Sequence, residues 1–399
     1  MSPTTRRSFL KSVGMTAGIA AGASHFATAQ APAVQGFDDT STTLQAGKVW
    51  TPVSDRRIRM GIVGYGFCQF GAAFGLQNHP NVEVVAVSDL IPDRCAGLAK
   101  ACRCEKTYES LEAMVKDDRI EAIFVATDAP NHAQHCINVL KHGKHVASAV
   151  PAVFGSLEDA DRLFETVKST GLKYMMFETT VFRNDCFAMR QIYDAGAFGR
   201  MTYTEGEYYH YMEQPLDSFK GWRIGLPPQW YPTHSNAYYT GVTGGHFTEV
   251  SCMGIPSKVT HLMASNNTYK NPFGTEIALF RASDGGMARM AVSWDTPGYE
   301  NEIGRCRGEK GSMVELEYEG VGDISRIMLE KPPLPPNVDA GGHGGSHGYL
   351  GNEFVESILL DRKPLVDIAW ALNMTVAGIV AHKSALKDGK LLKIPRYAI

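Results

Sequence analysis

The chain has 399 residues, 20% charged and 44% hydrophobic, with 39 Lys and Arg against 42 Asp and Glu. That length buries large cores without staples. The composition excludes disordered, collagen-like and coiled-coil chains, and a net charge of −3 argues against nucleic acid as a partner.

The first segment reads as an address. Thr5-Arg6-Arg7-Ser8-Phe9-Leu10-Lys11 fits the twin-arginine export consensus, a weakly apolar stretch runs from Ser12 to Ala23, and Ala27-Thr28-Ala29 offers a cleavage site before Gln30. The expectation is a signal peptide at 1–29, read by the twin-arginine machinery, and a periplasmic or otherwise exported protein. Residues 1–29 hold three basic residues and no acid, so the chain without them carries −6. The stretch is too short and too rich in Gly, Ala and Ser for a stable membrane span, and no other segment is a better candidate. Residues 30–57 read as an N-terminal arm. Eight cysteines, at 68, 95, 102, 104, 136, 186, 252 and 306, show no CxxC and no Cys/His cluster, so no metal and no disulfide framework are expected.

Ile58 to Val63 is a short apolar run suited to a buried parallel strand, and it leads into Gly64-Tyr65-Gly66. Gly64 permits a tight turn and Gly66 lets a pyrophosphate approach the backbone. The amides of Phe67 and Cys68 are expected to open a helix whose N-terminus favours the anion. The third glycine of the usual fingerprint is missing: Gln69 stands there, and Gly71 comes two places late. A second strand, Val82 to Ser88, ends in Asp89, 25 residues after Gly64. A carboxylate at that tip accepts both adenosine ribose hydroxyls and repels a 2′-phosphate, favouring NAD over NADP; a helix cap or surface aspartate is the alternative. Helices at 92–101 and 111–116, a strand at 122–126, a helix at 132–141, a strand at 144–147, a helix at 157–169 and a strand at 173–177 follow. Ser156 and Asp159 resemble a capping box. The alternation means a doubly wound parallel sheet.

The ordered series Gly64-Tyr65-Gly66, Val87-Ser88-Asp89, Ala126-Thr127 leading to Asn131-His132, and Gly143-Lys144-His145-Val146 before Pro151 resembles the Gfo/Idh/MocA family, from about Ile58 to the C-terminus. The resemblance implies an α/β protein: an NAD-binding Rossmann domain at 58–178 and a second α/β domain at 179–399 with an open, mainly antiparallel sheet. In the family that sheet often makes oligomer contacts, so a homo-oligomer is expected. C-terminal helices are expected to pack back on the Rossmann domain, with a nicotinamide cofactor between the two. Asn131 and His132 match positions that lie beside the cofactor.

Two family motifs are altered. Dehydrogenases of the family carry Glu-Lys-Pro where this chain reads Ala149-Val150-Pro151, and an Asp and a His where it has Glu249 and Met253. Valine and methionine exchange no protons, so the usual acid/base pair is absent. Tyr231-Pro232-Thr233-His234 is similar to a motif of the NAD-dependent α-N-acetylgalactosaminidase branch, although Ala149 and Phe182 depart from that branch's glutamate and tyrosine. Carried over, Tyr231 and His234 are site residues, with His234 as a proton carrier. His246 and Glu249 are further catalytic candidates; a structural salt bridge is the alternative for Glu249.

Arg183 is a candidate for orienting sugar hydroxyls or for pairing with Asp185. Gly341 to Gly348 reads as a flexible loop before a helix at 349–360, and His347 in it resembles a substrate-site position in exported relatives. The aromatic runs Tyr208-Tyr209-His210-Tyr211 and Trp230-Tyr231 suit sugar faces or sheet packing. An exported enzyme has no cytoplasmic NAD pool, so the cofactor is expected to be tightly retained and recycled. Transient oxidation of a glycoside, followed by elimination, water addition and hydride return, satisfies that. Glucose-fructose-type oxidoreduction is the alternative, and a nucleotide-retaining sugar-binding protein is a third.

Overall fold

A computed structural model describes residues 49–399 apart from Glu300, so the expected signal peptide and much of the N-terminal arm lie outside the described residues. The first sheet contains β1 (Ile58–Val63), β2 (Val82–Ser88), β3 (Thr107–Tyr108), β4 (Ala122–Val125), β5 (His145–Ser148) and β6 (Tyr174–Met176). Its order is β3-β2-β1-β4-β5-β6 and every neighbouring pair is parallel, the doubly wound arrangement read from the sequence. Crossover helices cover both faces, so β4 and β6 are buried at every residue.

Local chemistry sets the helix ends. Ser156 Oγ accepts from the amide of Asp159 at 3.1 Å and opens the helix Leu157–Thr170, while the Asp159 carboxylate turns to Arg162. The helix expected at 111–116 is a single turn, Leu111–Met114, because the chain leaves it for a turn in which Asp117 accepts from the amide of Arg119.

The turn after β1 differs from expectation. Gln69 adopts φ 51°, its amide donates to Gly66 O at 2.9 Å, and the helix starts only at Phe70 and ends at Ala73. Phe67 and Cys68 therefore lie in the turn and do not open the helix; the left-handed Gln69 interrupts the run. Gly64 has φ 99°, and a Cβ there would lie 2.2 Å from Ala126 O on the neighbouring strand. Gly71 serves where the third glycine is missing, since its added Cβ would lie 2.3 Å from Gly64 O. Only a glycine lets this helix sit against the turn.

The second sheet contains β7 (Met201–Tyr209), β8 (Phe247–Pro256), β9 (Phe273–Ala282), β10 (Met287–Ser293), β11 (Asn301–Gly308), β12 (Gly311–Val314), β13 (Glu317–Gly320) and β14 (Leu392–Lys393). Among its described strands, β7 and β10 pair in parallel and the rest antiparallel, in the order β13-β12-β11-β7-β10-β9-β8-β14. Two helices, Thr233–Thr243 and Ile368–Ala385, pack on one face and are buried almost all round, which explains their weak amphipathic pattern. Close approach seats the first: an added Cβ at Gly206 would lie 2.1 Å from Ser235 O, and one at Gly378 2.2 Å from Gln229 O.

The C-terminal region contacts the first sheet and its helices. The amide of Met176 donates to Val366 O at 3.1 Å, and Tyr397 Oη donates to Asp161 at 2.8 Å. The stretch expected as a flexible glycine loop is a buried turn instead. Gly341, Gly344 and Gly345 take positive φ, as does His343 at 51°, and the helix begins earlier than expected, at His347 (His347–Leu359). Glycine's access to left-handed backbone winds this stretch tightly rather than loosening it.

Candidate active site

A cleft opens at the carboxyl ends of β1, β2 and β4, where the strand order switches, which is where open α/β sheets bind ligands. Gly64, Gly66, Phe67, Cys68 and Asp89 line it on one side, and Trp222 and Arg223 close it from the second half of the chain. A Cβ added at Gly66 would meet nothing within 4 Å. Among the described residues no atom demands glycine at Gly66, so the space beside its backbone fits a pyrophosphate. Asp89 sits at the tip of β2, and its Oδ2 accepts from the amide of Tyr65 at 2.7 Å and its Oδ1 from that of Ile91 at 2.9 Å. These bonds hold the carboxylate across the glycine turn, and each oxygen keeps a lone pair for a ribose hydroxyl.

Asn131 and His132 are not on the cleft wall. Asn131 bonds Asp128, and the buried His132 ring lies between Pro151 O at 2.9 Å and Thr127 O at 3.1 Å. It braces the loops after β4 and β5.

Behind Trp222 and Arg223 lies a buried cluster built from both halves of the chain. His234, in the first turn of its helix, is 2% exposed, and its Nδ1 meets Glu178 Oε1 at 2.8 Å, at the end of the last parallel strand. Glu302 Oε1 lies 3.7 Å from the same nitrogen, and Thr180 Oγ1 donates to Glu302 Oε2 at 2.6 Å. Burial alone would lower the pKa of His234, but Glu178 first and Glu302 next outweigh it and raise it to about 9. Burial alone would raise Glu178, and the His234 charge and hydrogen bond outweigh that and lower it. The resting pair is imidazolium and carboxylate. His234 therefore starts as a proton donor, with Nε2 as the exchanging nitrogen, because Nδ1 is held by Glu178.

The other expected residues divide. Tyr231 is buried, 5.8 Å ring to ring from His234, and burial pushes its phenol up to about 12, against the pull of Arg223. Tyr208 packs edge-on to His234 at 4.6 Å. Arg183 joins the cluster, 3.9 Å from Glu302 and 4.0 Å from Asp185. His347 lies deeper, with Nε2 2.8 Å from His343 Nδ1. His246, just before β8, and Glu249, on it, are elsewhere: the amide of His246 bonds Ser283, and Glu249 accepts from Arg281 at 3.0 Å across to β9.

Sequence reasoning assigned no role to Glu178, Arg223, Glu302 or His343. The available signal for Glu178 was its place, a carboxylate two residues past the end of an apolar parallel strand, where α/β ligand sites form.

Two outcomes follow from this geometry. Gly66→Ala should leave thermal stability unchanged and weaken NAD binding at least tenfold, and Asp89→Asn should narrow the preference for NAD over NADP, both read by titration of the two nucleotides. Unchanged affinities would remove both residues from the cofactor site. Glu178→Gln should lower the pH at which His234 deprotonates by about two pH units, followed by NMR of the ring, since Glu302 alone then opposes burial. In the parent protein the raised His234 value contributes stability that is fully present below about pH 6.5 and lost as pH rises through about 9. That alkaline loss should shrink and move to lower pH in Glu178→Gln; an unchanged stability profile contradicts the pairing.

Residues 58–178 match the Gfo/Idh/MocA family, described as an oxidoreductase family with an NAD-binding Rossmann fold. A glycosyl hydrolase family 109 protein of Bacteroides fragilis is 32% identical over 167 residues, 39% of this chain and 35% of that protein. The chain thus spans about a third of the length of that relative. A glycosyl hydrolase family 109 protein of Stenotrophomonas maltophilia is 23% identical over 86% of this chain and 89% of its own length. Among solved structures, levoglucosan dehydrogenase in complex with NADH and levoglucosan superposes with a TM-score of 0.69 at 17% identity, over 86% of this chain and 100% of its own. The scyllo-inositol dehydrogenase of Lactobacillus casei gives 0.66 at 17%, over 86% and 99%. Residues 58–178 thus match the NAD-binding Rossmann fold of the Gfo/Idh/MocA oxidoreductase family, and the chain is similar to glycosyl hydrolase family 109 proteins.

Proposed function

We propose that the protein is an NAD-dependent enzyme acting on sugars, and that it cleaves glycosides by transient oxidation, elimination, water addition and reduction. The observation that carries this reading is the buried Glu178–His234 pair, a proton donor close to the nucleotide cleft of a chain that has Val150 where family dehydrogenases keep their lysine. Bound NAD supplies a hydride acceptor at the sugar, by the expected chemistry at carbon 3, and the same hydride on return. Glu178 holds His234 charged; in the elimination the carbon 2 proton passes to water, its C–H electron pair forms the new double bond, and His234 gives its Nε2 proton to the departing glycosidic oxygen. Arg223 and Arg183 face the site as hydroxyl-binding cations.

The names of the glycosyl hydrolase relatives support the glycosidase reading over net oxidoreduction. Tight retention of NAD and export by the twin-arginine route belong to the same proposal, because a cofactor recycled within each turnover needs no outside supply. A homo-oligomer formed through the second sheet is supported by the apolar residues it leaves exposed, Met253, Ile255, Leu279, Met287 and Ile303.

Purified protein, without added NAD, should release 4-nitrophenol over many turnovers from one or more members of a 4-nitrophenyl glycoside panel, and the sugar should take up deuterium at carbon 2 in heavy water. His234→Ala should lower turnover by ~10²–10⁴ with its bound NAD retained. Interconversion of paired sugars without glycoside cleavage would instead identify an oxidoreductase, and sugar binding without either reaction a binding protein. Replacing both Arg6 and Arg7 by lysine should hold the chain in the cytoplasm; normal recovery outside it would overturn the export assignment.

A further inference from the structure

An ion pair spans the nucleotide cleft. Arg94, in the first turn of the helix Pro92–Cys102 that follows Asp89, donates from Nη2 to Asp217 Oδ2 at 2.9 Å, and both residues line the cleft. Asp217 comes from the second half of the chain, 123 positions away. The side chains are 28% and 65% exposed, and a pair that open adds little to stability. What it changes is the charge on the cleft wall.

Asp217 starts from a fixed backbone. Ser218, next in the chain, accepts from two amides, at Oγ from Arg223 at 3.3 Å and at its carbonyl from Gly221 at 2.9 Å. The turn they close is tied down at its end, where Trp222 O accepts from Tyr269 Oη at 2.7 Å and the Trp222 ring meets Phe154 edge-on at 5.7 Å.

In Rossmann folds a carboxylate at the tip of the second strand takes the ribose hydroxyls of NAD, and an arginine nearby takes the 2′-phosphate of NADP. This cleft has both, in Asp89 and Arg94. The other arginine on its wall among the described residues, Arg223, belongs to the opposite end: its guanidinium lies 4.2 Å from the Trp222 ring centre and 5.9 Å from that of Tyr231, which packs on His234. His135, also on the wall, is kept neutral by burial, which lowers its pKa. Arg94 is thus the cation that a 2′-phosphate would meet, and Asp217 already occupies it.

We propose that Asp217 is a specificity residue for the cofactor: by engaging Arg94 across the cleft it withholds from NADP the arginine that would bind the 2′-phosphate. The proposal rests on the cofactor assignment given above and deepens it. The two carboxylates work differently. Asp89 repels the phosphate and offers acceptors to the ribose, whereas Asp217 competes with the phosphate for one guanidinium. NAD has no phosphate there to compete, so the pair discriminates against NADP alone.

The test is equilibrium displacement of carbon-14-labelled NAD from the full chain by rising NADP, which reads the ratio of the two affinities even where NAD is retained through purification. Asp217→Ala should raise the relative affinity for NADP about tenfold, a charge-assisted phosphate contact being regained, with NAD binding within about twofold of the parent. Arg94→Gln should give no gain, and adding Asp217→Ala to it should give none either, because the guanidinium through which the gain runs is missing. On an Asp89→Asn background the same pattern should repeat from a higher baseline. Melting temperatures within about 2 °C of the parent, expected for so exposed a pair, show that each variant is folded. An unchanged ratio in Asp217→Ala on both backgrounds would overturn the proposal. So would an equal gain without Arg94, which would assign the effect to charge alone or to another cation such as Lys220, whose Nζ lies 5.2 Å from the Phe219 ring centre. A parent that binds NAD and cleaves no glycoside would remove the proposed function and leave the role of Asp217 to be decided by these ratios.

Discussion

The contact between Glu178 and His234 joins the end of the last parallel strand to the first turn of a helix on the second sheet. Two buried ions are costly to desolvate, and removing one partner of such a pair typically costs ~3–5 kcal/mol because the other is left uncompensated. The pair is sustained by close packing around it. Gly206 and Gly378 let the helix and its leading segment press against β7 and the C-terminal helix, and Tyr208 and Tyr231 exclude water from the imidazole. The gain from this costly arrangement is chemical: a histidine that is charged at neutral pH and whose free nitrogen is fixed.

The cofactor side obeys a different constraint, that of backbone approach. The turn after β1 touches the neighbouring strand at Gly64 and receives its helix at Gly71, so that Gly66 alone faces open space. Asp89 closes the same turn through two amides, and that work fixes its carboxylate at the mouth of the cleft. Phe70, one residue into the helix, is then both a wall of the cleft and a neighbour of His343 and His347. The nucleotide turn and the histidine cluster are thus one packed unit.

The parallel sheet was legible in the sequence because buried strands and crossover helices leave alternating apolar runs, and the second sheet because the family resemblance implied it. The site was legible where one motif carries the chemistry, as in Tyr231-Pro232-Thr233-His234. It was illegible where partners are far apart in sequence: Glu302 bonds Thr180 across 122 positions, and no local pattern records that. Glu249 shows another limit. Strict alternation would put it on the same face as the buried Phe247, but the register shifts between them, and Glu249 points outward to Arg281 while Val250 and Cys252 point in. The glycine-rich turn misled in the opposite direction, since composition speaks of freedom and burial decides whether it is used.

The central claim is that the site borrows a hydride and returns it to the same sugar. A glycoside cleaved by the protein and labelled with deuterium at carbon 3 tests it most directly, by mass and NMR analysis of the product. The account predicts that the product keeps the deuterium at carbon 3 while carbon 2 acquires hydrogen from solvent. Loss of the label, or its appearance on a second sugar, would contradict it.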